Sequence, residues 1–168
     1  RSVKQEQFMK DAIGEKRGYQ ITGHRLSASY SAAKLLWIKE NEPQIYDRAY
    51  RMLQAKDYII YRLTGQFVTD LSDASGTNLL DIEKQTWSTE LIQAFQIRAE
   101  LLPELHSSSD IAGTVTKQAA KETGLIEWMP VVIGGGDGSC ACVGAGVVRK
   151  GKIFNVLGSS SWISMASD

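Results

Sequence analysis

An apolar run that ends in three glycines and an aspartate constrains the fold of this chain more than any other feature. Val131 to Ile133 has the pattern of a buried strand, and Gly134 to Gly136 lead directly to Asp137. Glycines let the backbone take positive φ or approach a ligand closely. Open α/β sheets bind their ligands at the carboxyl ends of the strands. The pattern therefore predicts an α/β fold with a carboxylate at the ligand-binding edge of a sheet.

Asp137 has two interpretations on this pattern alone. A carboxylate in a ligand crevice is a candidate catalytic base. Aspartate is also a favoured N-cap residue, and the small residues from Gly138 to Gly146 predict a helix that begins at this point. The local pattern leaves both interpretations open.

A second candidate site follows the predicted strand Ile153 to Leu157. Gly158, Ser159, Ser160 and Ser161 come next, and such a loop can offer backbone N–H groups and hydroxyls to a phosphate. The same residues are ordinary in the turn of a plain β-hairpin. The run is not a Walker motif, because the lysine that grips phosphate in that class is absent.

Composition and charge exclude several classes of protein. Nineteen Lys and Arg balance nineteen Asp and Glu in 168 residues, so no net charge attracts nucleic acid or anionic lipid. No apolar run approaches the roughly 20 residues of a membrane span. Cys140 and Cys142 lack the spacing and the histidine partners of a zinc site, and His24 and His106 have no neighbouring ligand residues. We expect a cytoplasmic protein with small buried thiols.

Helix and loop signals precede the glycine run. The spacing of apolar residues predicts helices over Ser31 to Asn41 and Ala55 to Leu63. A weaker helical pattern near the start of the chain is predicted to end at Gly14 and Gly18. The polar, small-residue segment Thr69 to Thr77 is predicted to be a structured loop.

Ser29 to Asn41 resembles, at every constrained position, the first signature of the FGGY carbohydrate kinases. The resemblance covers nearly the whole chain from Ile21 onward, and xylulokinases are the most similar members of the family. Other segments that agree with the family in order and spacing are Lys56-Asp57-Tyr58, Tyr61 to Gly65, Thr69-Asp70, Ser72 to Thr77, Trp87-Ser88, Leu101 to Glu104, Gly134 to Asp137, Gly144 to Gly146 and Leu157 to Ser159.

The resemblance implies a ribonuclease H-like, actin-type (ASKHA) α/β fold of two domains, with sugar and ATP meeting in the cleft between them. Residues 1–146 would be the later part of the first domain, and residues 147–168 would be the opening hairpin of the second. The family's first phosphate loop and its adenosine-binding region have no counterpart here. We therefore expect an internal piece of a longer kinase, inactive alone, whose full-length form is a homodimer.

The resemblance also implies roles for the candidate site residues. Asp137 would be the catalytic base, would bind the sugar, and would help to hold Mg²⁺. Gly138 stands where xylulokinases usually have an amide that binds the sugar. Gly158, Ser159, Ser160 and Ser161 would form a phosphate loop for ATP. The expected reaction transfers the γ-phosphoryl group of ATP to a hydroxyl of a pentulose such as xylulose, or of a related sugar or polyol.

Two other functions compete with this hypothesis. A non-catalytic actin-like module could keep the fold to bind a nucleotide or a sugar, and loss of the acidic residue would favour it, yet Asp137 is present. A serine hydrolase could use the cluster from Ser159 to Ser161. That class requires a nucleophile-elbow glycine pattern and a suitably placed histidine, and the sequence shows neither.

Overall fold

The chain forms two compact units, residues 1–134 and 135–168. A computed structural model describes residues 1–159 and 161–167. No described helix is long and apolar enough to cross a membrane. The domain boundary expected between residues 146 and 147 stays a prediction.

Unit 1, residues 1–134, combines helices with short paired strands. Its helices are α1 (Val3–Ile13), α2 (Glu15–Thr22), α3 (Ser31–Asn41), α4 (Pro43–Arg48), α5 (Ala55–Thr64), α6 (Leu71–Ser75), α7 (Thr89–Ala94) and α8 (Lys117–Thr123), with a 3-10 turn at Ala99–Leu101. Its strands are β1 (Val68–Asp70), β2 (Leu80–Asp81), β3 (Thr86–Trp87), β4 (Glu104–His106), β5 (Ile111–Thr114) and β6 (Pro130–Val132).

The main core of unit 1 lies where α1, α3 and α7 meet. Met9, Ala33, Leu91 and Phe95 are each 0% exposed there. A smaller apolar cluster joins α5, β1 and the residue that follows β6, and it consists of Ile60, Val68 and Ile133. Burial of Ile133 thus ties the end of β6, just before the glycines, to the interior of unit 1.

Strand pairing brings distant polar residues to one place. β1 pairs in parallel with β4, so that Asp70 lies opposite His106 at the end of the pair. β5 and β6 are antiparallel, with an irregular register between Ile111 and Gly113. β2 and β3 form a short antiparallel pair. The carboxyl end of β1 consequently presents Asp70 beside the segment that follows β4.

The structure confirms both predicted helices and corrects the predicted loop. α3 has the predicted bounds, and α5 stops at Gly65, which has φ +79°. The segment from Thr69 to Thr77 is instead the end of β1 followed by α6, because the Asp70 carboxylate accepts the N–H groups of Ser72 and Asp73 and begins a helix.

Gly18 does not end a helix, contrary to the prediction. It lies inside α2, where a Cβ would come within 2.8 Å of Leu26 Cδ1. Leu26 is only 1% exposed, so its side chain has no free space to move into. Glycine at this position therefore serves close packing of α2 against Leu26, while the positive φ that ends α2 is found at Gly23.

We expect Gly18→Ala to destabilise the full-length protein by about 1–3 kcal/mol, the usual cost of overpacking a core. The better helix propensity of alanine offsets about 1 kcal/mol of the clash. Urea unfolding followed by tryptophan fluorescence measures the change. Leu26→Ala in the same chain should remove the clash, so the double variant should lose less than the sum of the two single losses. Additive losses would contradict this explanation.

Unit 2, residues 135–168, contains one helix and one hairpin in its described part. These are α9 (Asp137–Gly144), β7 (Ile153–Leu157) and β8 (Ser161–Met165). β7 and β8 are antiparallel, with Leu157 opposite Ser161. The predicted strand from Ile153 to Leu157 is confirmed with these bounds.

The prediction of buried thiols is wrong for this chain. Cys140 is exposed and Cys142 is half-buried, and both are free. α9 buries none of its residues. The Cys142 thiol lies 3.2 Å from the Ser164 hydroxyl of β8.

Candidate active site

Asp137 lies at the start of α9, immediately after the three glycines. Its side chain is exposed, and its Oδ1 atom accepts a hydrogen bond of 2.8 Å from the N–H of Gly138. Gly134 has φ +72°, a conformation that side-chain-bearing residues rarely adopt. The run thus turns at Gly134 and ends in a carboxylate that is open to a ligand.

Asp137 begins α9, but it is not the N-cap residue of this helix. Gly136 occupies the N-cap position, and no side chain makes a capping hydrogen bond at this end of α9. The Asp137 carboxylate bonds the next residue instead of the N–H groups two or three positions on, which an N-cap residue would accept. Its second oxygen is available for chemistry as far as the described contacts show.

The other candidate residues lie at the tip of the hairpin in unit 2. Gly158 and Ser159 form the bend after β7, and Ser161 begins β8; all three are exposed. Ser160 lies outside the described residues. The described residues of this run therefore lie in a β-hairpin, as one of the two interpretations predicts. Its exposed N–H and hydroxyl groups are also compatible with binding a phosphate.

A buried ionic group in unit 1, here called the Lys56 cluster, consists of Lys56, Asp57, Asp70, Asp73 and Ser108. Lys56 Nζ lies 2.7 Å from Asp57 Oδ1, 3.2 Å from Asp70 Oδ1 and 3.7 Å from Asp73 Oδ2. The carboxylates of Asp57 and Asp70 are 0% exposed. Buried carboxylates need such partners, because an unpaired charge in the interior is strongly unfavourable.

Hydrogen bonds complete the surroundings of the two buried carboxylates. Asp57 Oδ2 accepts the N–H of Gln54 and so caps α5. Asp70 Oδ2 accepts the Ser108 hydroxyl at 2.8 Å and the N–H of Ser72 at 2.9 Å. Asp70 thus caps α6 and bonds Ser108 in the segment after β4.

Contacts within the Lys56 cluster keep Asp70 and Lys56 charged. Burial alone would raise the pKa of Asp70, but the hydroxyls of Ser72 and Ser108, the Ser72 N–H and the Lys56 ammonium outweigh it and lower that pKa below 3.8. Burial likewise opposes the charge on Lys56, yet the carboxylates of Asp57 and Asp70 raise its pKa above 10.5. Both groups are therefore charged at neutral pH.

These pKa directions predict how stability depends on pH. Asp70 stabilises the fold fully above its unfolded pKa of about 3.9, and that contribution is lost as pH falls through its lowered folded pKa. Lys56 contributes fully below about pH 10.4, and its contribution is lost as pH rises through its raised folded pKa. The melting temperature of the full-length protein should fall in both ranges, and Asp70→Asn should flatten the acid side. An acid slope unchanged by Asp70→Asn would contradict the assignment.

The two histidines make local contacts only. His24 Nε2 lies 2.9 Å from Ser75 Oγ, and its Nδ1 lies 3.3 Å from Tyr30 Oη. His106 lies 3.4 Å from the exposed Glu104 carboxylate. Within residues 1–159 and 161–167, no group of three or more His, Cys, Asp or Glu side chains is arranged to hold a metal ion.

Comparison with known proteins identifies the family of this chain. Residues 1–144 match the model of the N-terminal domain of the FGGY family of carbohydrate kinases. The chain belongs to this family. The match extends through the glycine run, Asp137 and the whole of α9, so the features that first suggested an α/β ligand edge are part of the FGGY domain.

Individual FGGY kinases agree with the family match. The chain is 39% identical over 140 residues to the xylulose kinase of Escherichia coli (strain K12), covering 83% of this chain and 29% of that protein. It is 35% identical over 162 residues to the autoinducer-2 kinase of Enterobacter sp. (strain 638), covering 96% of this chain and 30% of that protein. The chain thus spans about a third of the length of these relatives.

A solved FGGY structure confirms the expected fold. The crystal structure of xylulose kinase from Rhodospirillum rubrum superposes with a TM-score of 0.91 at 26% identity, covering 97% of this chain and 33% of that chain. The described structure is therefore the α/β architecture of part of an actin-like sugar kinase. The roles assigned to Asp137, Gly138 and the serine hairpin stay predictions.

Sequence reasoning found Asp137 and the hairpin but missed the Lys56 cluster as a unit. The sequence shows Lys56, Asp57 and Asp70 only as separate matches to the family pattern. The sequence does carry a signal, since Asp57 falls at the N3 position of α5, where a capping residue is expected. Nothing in the sequence indicates that Ser108, 38 positions from Asp70, supplies the closing hydroxyl.

Proposed function

We propose that this chain is part of an ATP-dependent carbohydrate kinase that phosphorylates a hydroxyl of a pentulose such as xylulose, or of a related sugar or polyol. The observation that carries the proposal is the exposed Asp137 carboxylate, held at the start of α9 after a glycine run in a chain of the FGGY family. Names of relatives at 35–39% identity, xylulose kinase and autoinducer-2 kinase, support a small polyhydroxylated acceptor.

In the proposed reaction Asp137 accepts the proton of the acceptor hydroxyl. The hydroxyl oxygen forms a bond to the γ-phosphorus of ATP, the bond from that phosphorus to the bridging oxygen breaks, and ADP leaves with the electron pair. Phosphoryl transfer needs positioning and charge stabilisation more than covalent chemistry, so the carboxylate must sit within hydrogen-bond reach of the hydroxyl. The exposed Asp137 carboxylate is accessible to such a hydroxyl.

The remaining groups would bind the nucleotide. Gly158, Ser159 and Ser161, with Ser160 between them, would offer N–H and hydroxyl donors to ATP phosphates. Mg²⁺ prefers carboxylate and phosphate oxygens and keeps several waters, so the exposed Asp137 suits it as one ligand, directly or through water. When bound, Mg²⁺ would neutralise the charge of the transferred phosphoryl group.

The need for the rest of the protein, its location and its oligomeric state are also proposals. Because the chain spans about a third of its relatives, we propose that the 168-residue chain alone is inactive. Free thiols at Cys140 and Cys142 and the use of ATP support a cytoplasmic location. A homodimer of the full-length protein stays a prediction.

Phosphorylation of an acceptor panel tests the proposal. The full-length protein is incubated with ATP, Mg²⁺ and each of a set of ketoses, polyols and sugar acids that includes xylulose and autoinducer-2, and ADP release is followed. Acceptor-dependent ADP release, absent with the 168-residue chain, is the expected result. A full-length protein that binds ATP or a sugar but phosphorylates no acceptor would instead favour the non-catalytic actin-like module.

Gly138 gives a prediction about selectivity. No described atom lies within 4 Å of a Cβ built at this position, so a side chain can enter. Adding an amide by Gly138→Asn should raise kcat/KM for xylulose by about tenfold, because a hydrogen bond to a substrate hydroxyl discriminates strongly. Ser139→Asn, which adds the same amide one residue later, is the control and should change nothing. Equal effects of the two variants would contradict a sugar contact at position 138.

A further inference from the structure

The Lys56 cluster has no part in the reaction proposed above, yet it adjoins the backbone that leads to Asp137. The carboxylates of Asp57 and Asp70 are 0% exposed, and the lysine is 21% exposed. Burying these charges is costly even when they are paired. A cluster of this kind is a weak source of stability, so its position in the fold raises the question of what it holds in place.

Ser108 links the cluster directly to the glycine run. Its side-chain hydroxyl donates to Asp70 Oδ2 at 2.8 Å, and its backbone carbonyl accepts the N–H of Gly134 at 2.9 Å. Asp110, two residues on, accepts the N–H of Ile133 at 3.0 Å through its own carbonyl. Ile133 and Gly134, the last two residues of unit 1, are therefore held by the segment that Asp70 anchors.

The aliphatic stem of Lys56 lies near Gly134, the first glycine of the run. A Cβ built on Gly134 would lie 3.9 Å from Lys56 Cδ, which is ordinary van der Waals contact. The backbone at Gly134 is in the left-handed conformation, with φ +72°. The stem of the same lysine thus lies on the side-chain face of Gly134, while its ammonium pairs with Asp57 and Asp70.

We propose that Lys56 and Asp70 are positioning residues for Asp137: they hold the backbone at Gly134 and so set the point from which the glycine run carries the carboxylate. The inference rests on the proposed function, in which Asp137 is the base. Neither residue touches the reactants in this proposal. Three glycines have little stiffness of their own, so the position of Asp137 depends on how firmly the first of them is held.

Lysine suits this role for a physical reason. Its ammonium is compact and carries three donors, and it can approach Asp57, Asp70 and Asp73 together while the stem lies along Gly134. A methionine would fill similar space without pairing the carboxylates. Lys56→Met is therefore the informative variant, and Phe95→Leu, a substitution of a fully buried side chain in the main core, is the control for lost stability.

Hydrogen exchange of the full-length protein is the first measurement, because it requires no kinase activity. Amides of residues 133–138 should exchange at least about tenfold faster in Lys56→Met than in the wild type, as expected when a local opening becomes easier. Phe95→Leu should leave these amides unchanged relative to the rest of the protein. Unchanged exchange in Lys56→Met would overturn the proposal, whatever the enzyme's activity.

Kinetics provide the second measurement. Lys56→Met should lower kcat by at least about tenfold, with KM for ATP and acceptor changed by less than about threefold, since misplacing a catalytic group by an ångström can cost far more. Phe95→Leu should keep its kcat. In an Asp137→Asn background, Lys56→Met should cost no more than about a further twofold, because a residue acting through Asp137 has nothing left to position.

The outcomes separate this inference from the proposed function. Faster exchange at residues 133–138 in Lys56→Met, together with a wild-type protein that phosphorylates nothing, would reject the kinase reaction and keep the restraint on the run. Losses from Lys56→Met and Asp137→Asn that multiply would overturn the positioning role, even with the kinase reaction established. A kcat loss in Lys56→Met no greater than in Phe95→Leu would overturn it as well.

Discussion

Asp137→Asn in the full-length protein should lower kcat by about 10²–10⁴-fold, the range for removal of a general base. The amide keeps the size of the side chain and can still accept the Gly138 N–H at Oδ1, so the start of α9 should be preserved. It cannot take up the proton of the acceptor hydroxyl. KM for ATP should change little if Asp137 acts on the acceptor rather than on the nucleotide. Initial rates of ADP release measure both constants.

Asp47→Asn is the matched control for that variant. Asp47 is an exposed aspartate of α4 in unit 1, and the same chemical change there should leave kcat unaltered. An Asp137→Asn enzyme that keeps more than a tenth of the wild-type kcat would show that another group accepts the proton. The hypothesis of catalysis by Asp137 would then fail while family membership would stand.

Asp70→Ala should give the largest loss of stability, about 3–5 kcal/mol, as when one partner of a buried ion pair is removed. The change deprives Lys56 of one carboxylate, leaves the Ser108 hydroxyl without its acceptor, and removes the cap of α6. Urea unfolding of the full-length protein, with tryptophan fluorescence as the signal, measures the loss in the transition that contains unit 1.

Two further variants show whether the burial of the Asp70 carboxylate causes the large loss of stability. Asp70→Asn keeps an acceptor for Ser72 and Ser108 and should lose less than Asp70→Ala. Asp81→Ala removes a carboxylate that pairs with the exposed Lys84 and accepts its N–H, and it should cost only about 1 kcal/mol. Equal losses from Asp70→Ala and Asp81→Ala would mean that the Lys56 cluster contributes no more than a surface pair.

Local signals in the sequence predicted much of the fold. α3 begins and ends where the apolar spacing places it, and the end of α5 is marked by Gly65. Ser88 and Thr116 accept N–H groups at the starts of α7 and α8, as capping residues do. These features depend on residues a few positions apart, which is why a single sequence reveals them.

Prediction failed where distant residues decide. Gly18 is kept inside α2 by Leu26, and the expected loop begins as a strand end at Thr69 and Asp70 because β1 pairs with β4. In each case a neighbour from elsewhere in the chain overrides the local preference.

The sequence by itself determined the family, the strand that runs into three glycines, and Asp137 as the candidate base, because each is written in consecutive residues. Only the tertiary structure revealed that Lys56, Asp70 and Ser108 meet beside Gly134. Those residues come from three separate segments, and no local pattern encodes their proximity. They are brought together because burial requires each charge to find a partner, and the paired strands β1 and β4 place the partners within reach.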